Sequence, residues 1–152
     1  KAKKYNFRTK FIELSGKINE NMPNIICRRV KHFLKNKKNK LCLIIGLAYK
    51  SNVDDCRESP TFEIMDQLKE LGALLDYYDP HVPEVPVTRE HKVWAGMKSI
   101  DWNGIREGRY EVAIILTDHK GVDYSSLAKI VPIIVDTRNA MVDFETTKIW
   151  NA

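Results

Sequence analysis

The chain has 152 residues, of which 43% are hydrophobic and 30% charged, and its formal net charge is +5. This length is about that of one domain and is sufficient to bury a core, and the abundant aliphatic residues exclude a disordered, collagen-like or coiled-coil chain. No apolar run approaches the roughly 18 residues that a membrane span requires, and no secretory signal follows the basic start, so we expect a cytoplasmic protein. Because the sequence begins with Lys1 rather than Met, we expect a piece of a longer protein.

Charge is distributed unevenly along the chain. Residues 1–40 contain 13 Lys or Arg residues and two acidic ones, a balance of +11, whereas residues 41–152 have a balance of −6. This asymmetry predicts two segments with different surroundings, which we place at 1–39 and 40–152. The basic segment lacks interleaved aromatic residues, which favours a solvated helix face over a nucleic-acid-binding surface.

The first segment has the spacing of an amphipathic helix. Its apolar residues recur every three or four positions and form one stripe: Phe11, Leu14, Ile18, Met22, Ile26, Val30, Phe33 and Leu34. Pro23 falls inside this pattern, so either it kinks one long helix or it lies in the first turn of a second helix. Residues 36–40 are polar and predict a linker. The stripe can pack against the chain's own domain or against a second copy, and both alternatives remain open.

From Leu41 onwards the pattern predicts a parallel α/β sheet with flanking helices. Apolar runs predict strands at 41–45, 73–78, 112–116 and 133–136. A helix is predicted between the first two strands, with Ser59 as N-cap, Pro60 in its first turn and Gly72 just beyond its end, and a second one at 124–130. The alternation of strand, helix and strand is typical of parallel sheets. The fold of residues 82–111 stays open.

Ligands of open α/β sheets bind beyond the carboxyl ends of the strands, so the residues that follow each predicted strand are the candidates for a site. These segments are 46–50, 79–81, 117–119 and 136–138. Lys50 and Arg138, with Arg57 nearby, predict a site for an anion such as a phosphate or a carboxylate. Tyr49 can stack on a base or a sugar ring.

Each of these features also has a plain structural interpretation. Gly46 begins a G-x-A turn rather than the G-x-G-x-x-G fingerprint, which argues against a phosphate cradle at this turn. Arg57 and Glu58 together fit a surface ion pair, and Asp79 before a proline is typical of a turn. Asp118 and its neighbouring histidine lack an adjacent Ser or Cys nucleophile. The four histidines and three cysteines have no metal-ligand spacing, and three thiols without a CxxC pair predict reduced structural cysteines.

Several short motifs follow one another along the chain: G-L-A-Y-K at 46–50, D-D-C-R-E-S-P at 54–60, Y-D-P at 78–80, T-R-E-H at 88–91, T-D-H at 117–119 and D-T-R-N at 136–139. Together they resemble the nucleotide-sugar 6-dehydrogenases, the family of UDP-glucose, UDP-N-acetylhexosamine and GDP-mannose dehydrogenases. The likeness also includes an upstream part, in which 11–14 and 18–23 look like the helix that follows the family's catalytic segment. It spans nearly the whole chain.

The resemblance implies a Rossmann-like domain that binds the nucleotide of a UDP-sugar, preceded by the end of a central helical region through which the enzyme forms a homodimer. Tyr49 and Lys50 would contact the UDP-sugar, and Arg138 would help to hold it. Arg57 would reach across a cleft to the phosphates of NAD, whose main binding domain lies elsewhere in the family's enzymes. Asn19 lies in a matching motif without an assigned role. The motif at 88–91 looks most like the UDP-N-acetylhexosamine branch.

Two family features are missing from this sequence. The G-G-H-C element with the nucleophilic cysteine does not occur, and Cys56 occupies a position that relatives usually fill with a hydrophobic residue, so no catalytic residue is assigned. The Gly-rich NAD fingerprint is also missing. The resemblance implies a complete enzyme that oxidises a C6 hydroxymethyl group twice, through an aldehyde and a cysteine thioester. We therefore expect this chain to be inactive alone; the alternative is a stand-alone nucleotide-binding or regulatory module, and a nucleic-acid-binding domain is a third possibility.

Overall fold

A computed structural model describes residues 9–35, 40–87, 91–144 and 148–151 of the chain. In these ranges one long helix precedes an α/β unit, and two short 3-10 helices lie at Lys92–Trp94 and Trp102–Gly104. The elements are α1 (Lys10–Leu34), β1 (Leu41–Ile45), α2 (Thr61–Glu70), β2 (Leu74–Tyr78), β3 (Val112–Ile115), α3 (Tyr124–Ile130), β4 (Ile134–Asp136) and β5 (Ile149–Asn151).

The strands form one parallel sheet in the order β2-β1-β3-β4-β5, which confirms the predicted fold class. Successive residues of β1 point to opposite faces of the sheet, as the pleat requires. Cys42 and Ile44 belong to the core beneath α1 and α2, whereas Leu43 and Ile45 belong to the core beneath α3. Because all strands run in one direction, their carboxyl ends and following loops share one edge of the sheet.

The predicted strands and α3 are all present, and their bounds differ from the prediction by one residue at most. The fifth strand, β5, was not predicted. It has three residues, one apolar–aromatic pair and a polar end, which is too short a run for a period of two to be visible. It pairs in parallel with β4, through Ile134 and Ile149 at its first position.

The first helix runs through Pro23 without interruption, so the alternative with a second helix starting there is wrong. A proline lacks the amide proton that would bond to the carbonyl four residues earlier, here that of Asn19. Only the second half of the stripe is covered: Val30 is fully buried, whereas Phe11 remains 81% exposed. The Cys27 thiol donates to the Ile64 carbonyl of α2 at 3.7 Å, which marks the contact between the helices.

The helix α2 begins one residue later than predicted. Pro60 takes the N-cap position that we assigned to Ser59, and the Ser59 hydroxyl accepts from the Thr61 amide at 3.3 Å. The predicted end is confirmed, since Gly72 has a φ of +83° and follows the last turn of the helix. The Ala73 amide then donates to the Leu68 carbonyl at 3.0 Å, which closes this terminus.

Backbone hydrogen bonds between distant positions, including one isolated antiparallel bridge, and a few side chains together hold the described part of the region 82–111. The Tyr77 hydroxyl donates to the carbonyls of Val82 and Met97, at 3.0 and 3.2 Å, and so fixes both ends of one loop. The Trp94 indole packs over α2 and donates to the Asp66 carboxylate at 2.7 Å. Such long-range contacts leave no periodic signal in the sequence, which explains why this region could not be predicted.

All three cysteines are buried and have free thiols. Burial is the main reason why the pKa values of Cys27 and Cys42 rise to about 12, far above the range in which a thiolate forms near neutral pH. None of the described helices combines the length and hydropathy needed to cross a membrane. Residues 36–39 of the predicted linker at 36–40 lie outside the described residues, so the segment boundary stays a prediction.

Candidate functional site

A glycine turn brings the loop after β1 against the end of β3. Gly46 has a φ of +85°, and a Cβ atom there would lie 2.3 Å from the Thr117 carbonyl oxygen. Only glycine fits both the backbone conformation and this close approach. The Thr117 hydroxyl then donates to the Ala48 carbonyl at 2.6 Å, so the loops after β1 and β3 are joined directly.

Tyr49 and Lys50 follow this turn and project from the sheet edge as exposed side chains. The Tyr49 amide donates to the Asp55 carbonyl at 2.8 Å, which folds the loop back on itself. The Lys50 ammonium lies 5.3 Å from the centre of the Tyr49 ring, within the range of a cation–π contact. The two side chains therefore present an aromatic face and a positive charge at one place.

The loop after β4 brings Arg138 to the same edge. Its amide donates to the Asp136 carboxylate at 2.9 Å, and its Nε donates to the Leu116 carbonyl at 2.6 Å. Asp136 is buried and also accepts from the Met141 amide at 2.9 Å, which closes the loop. The Nε of the guanidinium is held in this way, and among the described residues neither terminal nitrogen makes a hydrogen bond, so both are available to a ligand.

Two cavities meet at Tyr49 and Arg138, so the structure brings all three predicted substrate-binding residues together. The smaller has a volume of about 260 Å³ and contains Lys50 together with Ser51, Thr117 and Asp118. The larger has a volume of about 450 Å³ and extends towards α1. Its further lining consists of Asn19, Met22, Pro23, Ile26, Glu58, Pro60, Thr61, Ile64, Leu116 and Thr137.

Neither cation at this edge has a carboxylate partner. Within 9–35, 40–87, 91–144 and 148–151, no ion pair includes Lys50 or Arg138. Asp118 lines the smaller cavity, but its carboxylate accepts from the Tyr124 hydroxyl at 3.1 Å. A positively charged pair beside a partly apolar cavity can bind an anionic group that carries a ring system.

A buried carboxylate lies beneath the site. Asp79 follows β2, and its side chain and that of His119 have no exposed surface. Burial raises the pKa of Asp79, but hydrogen bonds from the His119 ring and from the Ala48 and His81 amides outweigh the burial and lower it to about 2. Asp79 is therefore a carboxylate at neutral pH.

Sequence reasoning did not find this pair. It interpreted Asp79 as a turn residue and set His119 aside because no nucleophile lies next to it. Both residues follow strands and both lie in motifs of the resemblance, at 78–80 and 117–119, but neither signal indicates that they contact each other. Their burial depends on how the loops pack, which the local sequence does not encode.

Arg57, the predicted NAD contact, lines neither cavity. Its guanidinium makes two bonds to the Asp55 carboxylate, at 3.0 and 2.9 Å, and its side chain is 77% exposed. The ion pair is thus with Asp55 and not with Glu58. Cys56 is buried and burial raises the pKa of its thiol, in agreement with its exclusion as a nucleophile.

The described residues do not fit NAD on their own. The turn at Gly46 is closed by Thr117, which leaves no open glycine cradle for a pyrophosphate. Among the residues that the structure describes, no group of three metal-ligating side chains occurs either. The motif at 88–91 cannot be placed, because 88–90 lie outside the described residues.

An open parallel sheet with helices on both faces and cations gathered at its carboxyl edge defines a Rossmann-like nucleotide-binding domain. Residues 43–143 match the model of the UDP binding domain of the UDP-glucose/GDP-mannose dehydrogenase family. The chain belongs to this family.

Curated relatives with similar sequences are dehydrogenases of sugar nucleotides. A UDP-N-acetyl-D-mannosamine dehydrogenase of Methanococcus maripaludis is 32% identical over 145 residues, which cover 87% of this chain and 31% of the relative. A UDP-glucose 6-dehydrogenase of Bacillus subtilis is 29% identical over 150 residues, with coverage of 91% and 30%. The chain thus spans less than a third of the length of these relatives.

Solved structures have the same fold. The UDP-N-acetyl-mannosamine dehydrogenase of Staphylococcus aureus superimposes with a TM-score of 0.64 at 27% identity, over 95% of this chain and 33% of that one. A UDP-D-ManNAc dehydrogenase of Pyrococcus horikoshii gives a TM-score of 0.75 at 22% identity, over 99% and 35%. The second likeness concerns the fold alone.

Proposed function

We propose that this chain is the UDP-sugar-binding portion of an NAD-dependent UDP-sugar 6-dehydrogenase. The observation that carries the proposal is the meeting of Tyr49, Lys50 and Arg138, from two loops far apart in sequence, around cavities at the carboxyl edge. The two cations have no carboxylate partner among the described residues, so a diphosphate can take that place. Membership of a family named for its UDP binding domain supports the same ligand.

The chemistry of the two cavities suggests how the ligand divides between them. Lys50 and Arg138 flank the smaller cavity, where the charge of a diphosphate is best neutralised. Glu58 lines only the larger cavity, and its carboxylate would repel a phosphate there. The larger cavity therefore suits the uncharged part of the ligand, with the Tyr49 ring at the junction in a position to stack on a base or a sugar ring.

Arg57 is assigned to the cofactor, because its guanidinium lies on the surface and away from the UDP cavities. Its partner Asp55 is exposed, so NAD phosphates held by the rest of the enzyme can replace that carboxylate. NAD supplies the acceptor for the hydride in both oxidations. The chain contributes substrate binding and closure of the cleft, while the nucleophilic cysteine belongs to another part of the enzyme.

A UDP-N-acetylhexosamine is the preferred substrate class, and UDP-glucose is the alternative. Three of the most similar relatives are named UDP-N-acetyl-D-mannosamine dehydrogenases, at 29–32% identity. The product would be a uronic acid nucleotide for polysaccharide synthesis. Release of NADH by the full-length protein with UDP-N-acetylglucosamine, UDP-N-acetylmannosamine, UDP-glucose and GDP-mannose will distinguish these sugars.

The exposed half of α1 is assigned to a contact between the two subunits of a homodimer. The remaining domains of the enzyme are the other expected partners of this chain. Phe11, Leu14 and Ile18 are 81%, 57% and 53% exposed, although they continue the stripe that is buried further along the helix. Apolar residues in a row on one helix face are typical of contacts with another helix. Sedimentation of the full-length protein as a monomer would contradict this assignment. The cytoplasmic location stays a prediction.

Calorimetric titration of the chain with UDP and with uridine tests the proposed function. UDP should bind at least tenfold more tightly than uridine, because only UDP places charge between Lys50 and Arg138. Lys50→Ala should remove most of this difference, whereas Lys129→Ala, which removes an exposed lysine from α3, should keep it. Equal affinities of UDP and uridine would refute the assignment. A stand-alone module would bind UDP equally, but its complete gene product would release no NADH with any UDP-sugar.

A further inference from the structure

The Asp79 carboxylate connects three loops at the carboxyl edge. Its Oδ2 accepts from the amides of Leu47 and Ala48, at 2.7 and 2.9 Å, and from Nε2 of His119 at 3.1 Å. Leu47 and Ala48 immediately precede the two residues that we assign to UDP binding. The first half of that loop is therefore fixed to a buried group rather than to solvent.

The second oxygen of Asp79 is used as well. Its Oδ1 accepts from the amides of His81 and Val82, at 2.8 and 3.1 Å. A carboxylate can only accept, which suits a place where five donors meet. An amide in the same place would turn its NH₂ group towards at least two N–H donors.

The His119 ring extends this connection to the far side of the loop. Its Nδ1 accepts from the Asn52 amide at 3.0 Å, so Nδ1 carries no proton and Nε2 carries the one donated to Asp79. Asn52 has a φ of +61°, and its side-chain oxygen accepts from the Lys120 amide at 2.8 Å. Ser51 also donates to the carbonyl of Asp118.

The loop is thus fastened on both sides of Tyr49 and Lys50. Asp79 holds the backbone at 47–48, and His119 holds it at Asn52, while the two side chains between these points remain exposed. We propose that the buried Asp79–His119 pair is a positioning pair, which sets the conformation of Tyr49 and Lys50 for UDP before the nucleotide binds. This inference rests on the proposed function for its ligand.

The physical basis is preorganisation. A loop that is already ordered does not lose conformational freedom when the ligand binds, so more of the interaction appears as affinity. Asp79 supplies this order without contacting the cavities, since it lines neither of them. Loss of the carboxylate should therefore release the backbone at 47–48 and weaken UDP binding, although Lys50 and Arg138 are both retained.

The first test compares Asp79→Asn with Asp76→Asn in amide hydrogen exchange and in UDP titration. Asp76 is a suitable control because it is a hydrogen-bonded carboxylate within β2, three residues before Asp79, and accepts from Arg109 and Tyr110 at 2.8 Å each. Asp79→Asn should speed exchange at Leu47 and Ala48 in the free chain and weaken UDP binding about tenfold. Asp76→Asn should change neither, even if it lowers the melting temperature.

A second pair of variants separates the two bonds of His119 and keeps the test decisive if Asp79→Asn does not fold. The oxygen of an asparagine can replace Nδ1, and the nitrogen of a glutamine can replace Nε2. His119→Asn should therefore keep the Asn52 amide protected, whereas His119→Gln should expose it to exchange while retaining the bond to Asp79. A general loss of packing would affect both variants alike.

The outcomes distinguish the two proposals. If the wild-type chain does not bind UDP, the proposed function fails, and the exchange rates alone decide whether the pair holds the loop. Faster exchange with unchanged UDP affinity in Asp79→Asn would overturn the positioning role. Unchanged exchange at Leu47 and Ala48, or identical Asn52 exchange in both His119 variants, would overturn the pair as the fastening of the loop.

Discussion

Two cations at the amino end of the sheet are paired with carboxylates, whereas the two cations that line the cavities at the carboxyl end are not. At the amino end, Lys40 precedes β1 and pairs with Glu111, which precedes β3. Arg109 lies in the same loop as Glu111 and bonds to the Asp76 carboxylate of β2 at 2.8 Å. Each of these cations is therefore neutralised by a residue of the chain itself.

At the carboxyl end, Lys50 and Arg138 have no such partner in the part of the chain that the structure describes. The buried carboxylates there, Asp79 and Asp136, bind backbone amides instead and so hold the loops. A cation that is paired contributes to the fold, whereas one held in place but left unpaired is available to an anion. The lack of an ion-pair partner thus distinguishes a candidate anion-binding site from a charged surface whose cations are already neutralised.

The largest expected effect comes from the glycine that lets two loops meet at the carboxyl end. Gly46→Ala should lower the free energy of unfolding by about 3 kcal/mol or more, since it adds a backbone clash to an unfavourable φ. Gly108 in the loop before β3 also has a positive φ, +76°, but nothing lies within 4 Å of its would-be Cβ. Gly108→Ala should cost only about 1 kcal/mol. Similar urea midpoints for the two variants would contradict this difference.

Acid should weaken the carboxyl end through Asp79. Its pKa is about 2 in the folded chain against about 3.9 in an unfolded one, so its contribution to stability is complete above pH 4 and is lost between about pH 4 and pH 2. The difference corresponds to about 2 kcal/mol. Urea unfolding as a function of pH should show this loss in the wild type, and Asp79→Asn should lack it.

Asp55 offers an internal comparison for the same measurement. The Arg57 side chain also lowers the pKa of Asp55 to about 2, but both groups are exposed. Salt screens exposed charges. We therefore expect 1 M NaCl to remove the contribution of Asp55 to the acid dependence of the unfolding free energy and to leave the contribution of Asp79. An acid dependence that disappears completely in salt would mean that surface pairs, and not Asp79, control it.

Arginines at the two ends should differ in their effect on UDP binding. Arg138→Ala should weaken UDP binding about tenfold, or ~1.4 kcal/mol, because a charged donor to the diphosphate is lost. Arg138→Lys should lie between this variant and the wild type, since it keeps the charge without the bond to Leu116. Arg109→Ala should leave UDP affinity unchanged. Equal losses for Arg138→Ala and Arg109→Ala would indicate a general charge effect rather than a site.

The sequence predicted which residues meet at the carboxyl edge better than it predicted what holds their loops. Tyr49, Lys50 and Arg138 were placed together because they follow buried strands, and parallel strands end at one edge; their role in UDP binding stays a proposal. Asp79 and His119 also follow strands, but their role depends on burial and on donors from other loops. A local pattern shows that a residue is polar and does not show whether water or five N–H groups surround it.

The fold likewise contains elements that a local sequence pattern predicts and elements that depend on long-range packing. The pattern of apolar residues was sufficient for α3 and for the first four strands, of which β1, β3 and β4 are buried on both faces of the sheet. It was insufficient for β5, which has three residues, and for the region around Trp94, which is anchored by single side chains. It also could not tell that α1 continues through Pro23, because the cost of a missing hydrogen bond is offset by packing along the second half of the helix.

The smallest expected effect concerns the ion pair of Lys40 and Glu111 at the amino end. Both side chains are partly exposed, so the pair should contribute less than about 1 kcal/mol, and 1 M NaCl should reduce that further. A double-mutant cycle with Lys40→Met and Glu111→Gln, followed by urea unfolding, measures the interaction. UDP affinity should be the same in all four proteins, because the Lys40 ammonium is already paired with the Glu111 carboxylate and lies at the end of the sheet opposite the proposed UDP site. A loss of UDP affinity in Lys40→Met would show that unpaired charge at the carboxyl end is not what selects the ligand.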